Sequence, residues 1–150
     1  MPEKLMIRGQ PPRRSTLALL EAEGLPVSDL TDAHLEHFFF TGAADSPTAL
    51  VGLEIYGIDA LLRSLVVSAD ARTQGTGSAL VVHAEEYAAS RSIRAIYLLT
   101  TTAESFFERM GYRRLDRAEA PPSIRSTREF AGLCPASSAF MVKRLQLRDR

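Results

Sequence analysis

Three things are scarce in this chain, and each scarcity closes a class of answers. There is one cysteine, Cys134, which cannot form an internal disulfide; this fits a reducing compartment and predicts a cytoplasmic protein. Surplus charge is absent, because Lys plus Arg and Asp plus Glu come to 18 each in 150 residues. Such a balance gives no bulk attraction to nucleic acid or to an anionic membrane, although it leaves room for a local basic cleft. No apolar run reaches membrane-spanning length, and the charged, proline-bearing stretch from Met1 to Pro12 does not read as a signal peptide. Repeats and low-complexity segments are missing too. His34 and His37 lack the cysteine or carboxylate company that makes a metal site, and His83 lies in a helical stretch, so no metal is expected.

What is present is the composition of a soluble domain, 45% hydrophobic and 24% charged, read as one domain over residues 1–150. Met1 to Arg8 alternates like a short strand, and Arg13 to Glu23 has helical spacing, with Gly24 as C-cap and Pro26 beyond it. A second short helix starts at Ser28 or Asp29 and runs through His34. His37 to Thr41 is β-prone, Gly42 to Pro47 reads as loop, and Ala49 to Tyr56 as a strand turned back at Gly57-Ile58-Asp59 into a second strand. Ala95 to Leu99 is a further apolar strand, Ala103 to Met110 a helix closed by Gly111, and Tyr112 to Leu115 strand-like. Ala120-Pro121-Pro122 opens a long irregular segment before a last strand in Ala139 to Leu145. The order, β-α-α-β-β-β-α-β-α-β-loop-β, is that of an α/β domain.

The centre of this pattern is Leu61 to Leu80. An apolar strand, Leu61 to Val67, leads through the polar turn Asp70 to Gly77 into a helix from Ser78 to Ser90. Helix N-termini present unpaired N–H groups and partial positive charge, and glycines there let an anion approach. With Arg72 beside Gly75 and Gly77, the stretch is suited to a phosphate or pyrophosphate. It is not a P-loop, since no lysine follows the glycines, and not a dinucleotide fingerprint, since Leu80 stands where a third small residue belongs.

Two residues interrupt apolar strands. Glu54 is a candidate general base for a substrate ammonium, with a solvated carboxylate or a partner for Arg63 as the alternatives. Arg63 needs an anion, either a substrate carboxylate held bidentately, with Ser64 beside it, or a structural pair with Glu54. Arg125, Thr127, Arg128 and Glu129 lie in the segment after Pro122 and suit a dianionic amino acid, with Glu129 for its ammonium. A solvated charged loop or a dimer contact is the alternative there. Cys134 reads as structural.

The spacing Arg72-x-x-Gly75-x-Gly77 after an apolar strand resembles the pyrophosphate loop of the GNAT superfamily of acetyl-CoA-dependent N-acetyltransferases. Thr100 to Tyr112, with Phe106, Phe107 and Gly111, is similar to the later GNAT segment in which a helix ends in Phe-Tyr-x-x-x-Gly-Phe. The resemblance implies a GNAT fold, a mixed sheet of about seven strands flanked by about four helices. Gly52-Leu53-Glu54, Leu61 to Leu65, Leu98 to Ala103, and Ile124 to Phe130 with Cys134-Pro135 resemble the branch of arsinothricin N-acetyltransferases, relatives of the phosphinothricin acetyltransferases.

What the resemblance implies about roles is specific. Leu65, Val66 and Val67 would pair with the pantetheine arm of acetyl-CoA, and a backbone N–H near Val66 would stabilise the oxyanion. Gln74, Gly75, Thr76, Gly77 and Ser78 would hold the pyrophosphate, assisted by Arg72. Thr100 stands where an asparagine often contacts the cofactor, and Phe107 where a tyrosine often protonates the leaving thiolate. Without that hydroxyl the donor is a water, Tyr97 or Tyr112, or the thiolate leaves unprotonated. The implied function is acetylation of the α-amine of a small acidic amino acid or a glutamate-analogue toxin such as arsinothricin, by a homodimer. A protein or peptide amine acetyltransferase and a non-catalytic CoA-binding regulatory module are the alternatives.

Overall fold

The computed structural model describes residues 6–72 and 75–146. Seven strands are ordered β1-β2-β3-β4-β5-β7-β6 in one mixed sheet. They are β1 (Arg8–Gly9), β2 (Phe38–Ala43), β3 (Ser46–Tyr56), β4 (Asp59–Val67), β5 (Ala95–Thr100), β6 (Arg113–Arg114) and β7 (Ala139–Arg144). The helices are α1 (Arg13–Ala22), α2 (Asp32–Leu35), α3 (Thr76–Ser90), α4 (Glu104–Arg109) and α5 (Pro122–Arg125). No helix among the described residues is long and apolar enough to cross a membrane.

The α/β order read from the sequence is the observed one, with shifted boundaries. The strand expected over Met1 to Arg8 is seen only as Arg8–Gly9, its first five residues lying outside the described ones. The loop expected from Gly42 to Pro47 is instead the tip of a hairpin, because β2 and β3 pair antiparallel as far as Ala43↔Ser46, across a register shift at Thr41/Gly42. A bulge absorbs the glycine there and lets the ladder continue past it. The second helix starts at Asp32 rather than at Ser28 or Asp29, since Thr31 and His34 form a reciprocal capping box. The segment after Pro121 is not irregular throughout: Pro122 opens α5, and Glu129–Leu133 makes a wide helical turn broken at Gly132.

Contacts gather the chain into two compact units, one of residues 1–53 and 64–84, the other of residues 54–63 and 85–150. In the first, Leu20, Leu30, Leu35, Phe38, Leu50 and Val66 form the buried cluster, packing α1 and α2 on the inner faces of their strands. Gly52 faces Phe38 in the β2–β3 register, and an added Cβ would stand 2.1 Å from the Phe38 ring. Only glycine fits beneath that ring. In the second unit, Leu61, Tyr97, Ile124, Phe140 and Val142 are the centre of the core, with Tyr97 stacked on Phe140 at 5.7 Å.

Candidate active site

The candidate site begins in β4. Its parallel pairing with β5 runs over Asp59↔Ala95, Ala60↔Ile96 and Leu61↔Tyr97. Three residues later Ser64 takes φ 60°, in the left-handed region. A non-glycine residue held there costs of order 1–3 kcal/mol and bends the strand out of a regular ladder. Leu65, Val66 and Val67 follow this kink. Val66 turns its side chain into the core of the first unit, and those of Leu65 and Val67 stay half-buried.

Beyond Val67 a short 3-10 turn, Ala69–Ala71, leads to Arg72. The Arg72 Nε donates to the Val67 carbonyl at 3.0 Å, and its Nη2 pairs with Glu23 at 2.6 Å. Arg72, expected on a pyrophosphate, is tied to the end of β4 and to Glu23, the residue that caps the C-terminus of α1. Gln74 lies outside the described residues. Gly75 has φ 75°, and beyond its chain neighbours no atom of the described residues stands within 4 Å of where its Cβ would be. Its carbonyl accepts the Ala79 N–H at 3.1 Å, in keeping with its place immediately before the first residue of α3. The helix begins at Thr76, two residues earlier than the periodicity suggests, and the N–H groups of Thr76, Gly77 and Ser78 belong to its first turn. Thr76 buries its own side chain.

The second unit holds the charged constellation. Arg63 is entirely buried, with Glu54 at 2.8 Å on one nitrogen and Glu129 at 3.1 Å on the other; both carboxylates have side-chain exposures of 5%. The Tyr56 hydroxyl donates to the second oxygen of Glu54. Arg63 therefore finds its anions inside the protein, and the structural pair with Glu54 left open by the sequence is the one formed. Glu129, expected to meet a substrate ammonium, completes it. A buried guanidinium between two carboxylates satisfies the need that the apolar strand created.

The other residues of that segment also turn to their own chain. The Arg125 Nη2 donates to the carbonyls of Ala118 and Ala120 at 3.0 and 3.3 Å. The buried Thr127 hydroxyl donates to Ile124 O at 2.7 Å and accepts from Phe130 N–H. The backbone of the turn consumes the Thr127 hydroxyl and one nitrogen of Arg125. Cys134 is half-buried, and burial with the neighbouring Glu129 carboxylate pushes its thiol up to about 12. It is inert at neutral pH, in line with a structural role.

The end of β5 belongs to the same unit. The Thr100 hydroxyl accepts the Ala103 N–H at 3.0 Å and so caps the turn into α4. Phe107 is buried with its ring edge-on to Phe106 at 5.0 Å and to Tyr112 at 5.5 Å, while Phe106 remains half-buried. Neither tyrosine named as a proton donor is poised for the task. Tyr112 donates to Glu85 at 3.0 Å, and burial together with that carboxylate raises its pKa. Burial and the Asp59 carboxylate raise the pKa of Tyr97.

Sequence reasoning missed Tyr56 and Arg117. For Tyr56 a signal existed, because Glu54 and Tyr56 are two apart in a strand and share a face. Arg117 carried none, its partners lying at Pro135 and Ser138.

Residues 35–114 match the acetyltransferase (GNAT) domain family. An uncharacterized N-acetyltransferase of Chlorobaculum tepidum is 28% identical over 92 residues, which are 61% of this chain and 59% of that protein. The match thus spans less than two thirds of that relative. Among solved structures, the N-acetylglutamate synthase of Neisseria gonorrhoeae, complexed with coenzyme A and N-acetyl-glutamate, has a TM-score of 0.81 at 20% identity, over 97% of this chain and 36% of that one. A Mycobacterium tuberculosis protein in complex with CoA has a TM-score of 0.75 at 16% identity, over 94% of this chain and 99% of that one. These likenesses show the fold.

Proposed function

The chain belongs to the GNAT acetyltransferase family, and on that premise we propose that it transfers an acetyl group from acetyl-CoA to the α-amine of a small acidic amino acid. Glutamate and glutamate-analogue toxins such as arsinothricin are the proposed acceptors. The observation that carries the reading is the open N-terminus of α3. Gly75 is in a left-handed conformation, no atom of the described residues beyond its chain neighbours stands within 4 Å of its Cβ position, and on this reading the N–H groups of Thr76, Gly77 and Ser78 receive a pyrophosphate. The described β4–β5 pairing ends at Leu61, and this supports a pantetheine arm hydrogen-bonded along Leu65 to Val67.

On this reading the Val66 N–H faces the thioester oxygen, where one well-aimed donor lowers the barrier by about 3 kcal/mol. The neutral amine attacks the thioester carbon, the C–N bond forms, the C–S bond breaks as the CoA thiolate departs, and the nitrogen releases its remaining extra proton to solvent water. Phe107 has no proton to give, and Tyr112 holds its own on Glu85. The thiolate accordingly leaves as the anion, tolerable for a thiol of pKa about 8.5. Glu54 is the proposed base, acting through a water because each of its oxygens already accepts a protein donor. Arg63 is assigned to holding Glu54 rather than to the substrate. The gonococcal enzyme of the same fold, solved with N-acetyl-glutamate, supports an acidic amino-acid acceptor.

Free thiol release from acetyl-CoA tests this with glutamate, arsinothricin, phosphinothricin, methionine sulfoximine and an N-terminal peptide as acceptors. Release with the acidic amino acids supports the reading. Release with the peptide alone moves the acceptor to protein N-termini, and binding of acetyl-CoA without any release makes the chain a regulatory module.

A further inference from the structure

A cavity of about 550 Å³ in the second unit is lined by Arg114, Leu115, Asp116, Arg117, Ser138 and Phe140, among others. Its cations differ in what they are free to do. Arg114 is held by Glu104 through two parallel hydrogen bonds of 2.9 and 2.8 Å. Arg117 meets no carboxylate among the described residues. Its Nη2 donates to Ser138 O at 2.9 Å and Pro135 O at 3.3 Å, and its guanidinium lies 5.4 Å from the centre of the Phe130 ring. These contacts fix the plane of the guanidinium and leave the Nε and Nη1 donors unspent. In the same wall the Ser138 hydroxyl is buried and has no hydrogen-bond partner among the described residues. An unpaired buried hydroxyl costs about 1–3 kcal/mol, and a χ1 rotation toward the cavity would let a ligand oxygen recover it. Leu115 and Phe140 give the cavity an apolar floor. Asp116 spends one oxygen on the Ala118 N–H at 3.1 Å.

We propose that this cavity is a carboxylate subsite for the acyl acceptor, in which Arg117 and Ser138 take the carboxylate and Leu115 with Phe140 carry the methylene chain. The proposal rests on the acidic amino-acid reading above. A guanidinium held in a fixed plane loses little entropy on pairing with a carboxylate, and an orphaned hydroxyl beside it supplies a further donor. The Asp116 charge at the rim favours a ligand that carries an ammonium as well. Within the second unit the subsite adjoins the C-terminal end of β5: Ser138 precedes Ala139, which pairs with Thr100, the last residue of that strand. Arg63 and Thr127, two of the sequence candidates for this task, are engaged within the protein, and Arg125 is not among the residues that line this cavity.

Calorimetric titration of L-glutamate, with thiol release run beside it, tests the assignment on wild type, Arg117→Gln and Ser138→Ala. Glutamate should bind the wild type about 10- to 100-fold more tightly than Arg117→Gln, and several-fold more tightly than Ser138→Ala, the loss expected of hydrogen bonds to a charged group. In turnover, KM for glutamate should rise by the same factors with kcat within about threefold, while butylamine, which has no carboxylate, is unaffected. Ser138→Ala touches no other hydrogen bond, so its result stands even where Arg117→Gln loosens the turn it holds. Glutamate affinity unchanged in both variants, or an equal loss for glutamate and butylamine, overturns the subsite. Glutamate binding that depends on Arg117 without any turnover overturns its acceptor role and the proposed reaction together, and leaves a carboxylate-binding cavity. Turnover of glutamate indifferent to both variants does the reverse.

Discussion

Replacing Arg63 with methionine should be a stability lesion first and an activity lesion second. Methionine approximates the aliphatic stem, so the change removes chiefly the guanidinium. Glu54 and Glu129, at 2.8 and 3.1 Å from its two nitrogens and each 5% exposed, are then left as two carboxylates with no cation between them. Removing one partner from a buried ion pair costs about 3–5 kcal/mol, most of it the penalty of the uncompensated charge. In a domain of this size that is roughly 6–20 °C in Tm. Urea denaturation at pH 7 measures it directly, and the double variant Glu54→Gln/Arg63→Met should recover part of the loss, because one buried charge has gone with its partner. A loss below about 1 kcal/mol in Arg63→Met would refute the structural assignment and return Arg63 to the ligand.

Two other outcomes follow from single residues. Gly75→Ala should cost about 1 kcal/mol in stability for its φ of 75°, and should weaken acetyl-CoA binding about tenfold by placing a methyl at the mouth of α3; calorimetry reads both. Alkaline conditions should destabilise the fold. The unfolded chain releases the Cys134 proton near pH 8.5 and the Tyr112 proton near pH 10, whereas the folded chain keeps both, the thiol to about 12. Above those unfolded values the native state binds more protons, so stability falls as pH rises. Cys134→Ser and Tyr112→Phe should each flatten that fall in pH-dependent urea melts, and an unchanged slope in both would contradict the assignment.

Local chemistry was legible in the sequence, and distant pairing was not. The hairpin at Gly57, the strand–turn–helix at Leu61 to Ser90 and the helix before Gly111 all announce themselves through periodicity and turn residues within a dozen positions. The family resemblance came from the same stretches, and the matched family covers them. Arg63 was recognisable as a guanidinium in need of an anion, but nothing near it in sequence points to Glu129, which reaches it from the turn after α5. The same limit hid Arg117 and Ser138, whose contacts depend on how the last turn folds back. Charged residues in a loop read as ligand contacts; Arg125 and Thr127 show how readily backbone carbonyls claim them first. Pro122, read as a breaker, instead begins a helical turn, since proline is well placed at a first helical position.

Amide hydrogen exchange with and without acetyl-CoA tests most directly whether the cofactor lies along β4 and on α3. Slowed exchange at Leu65 to Val67 and at Thr76 to Ser78, with the rest of the chain little changed, is the expected result. Protection that appears elsewhere, or none at saturating acetyl-CoA, would contradict it.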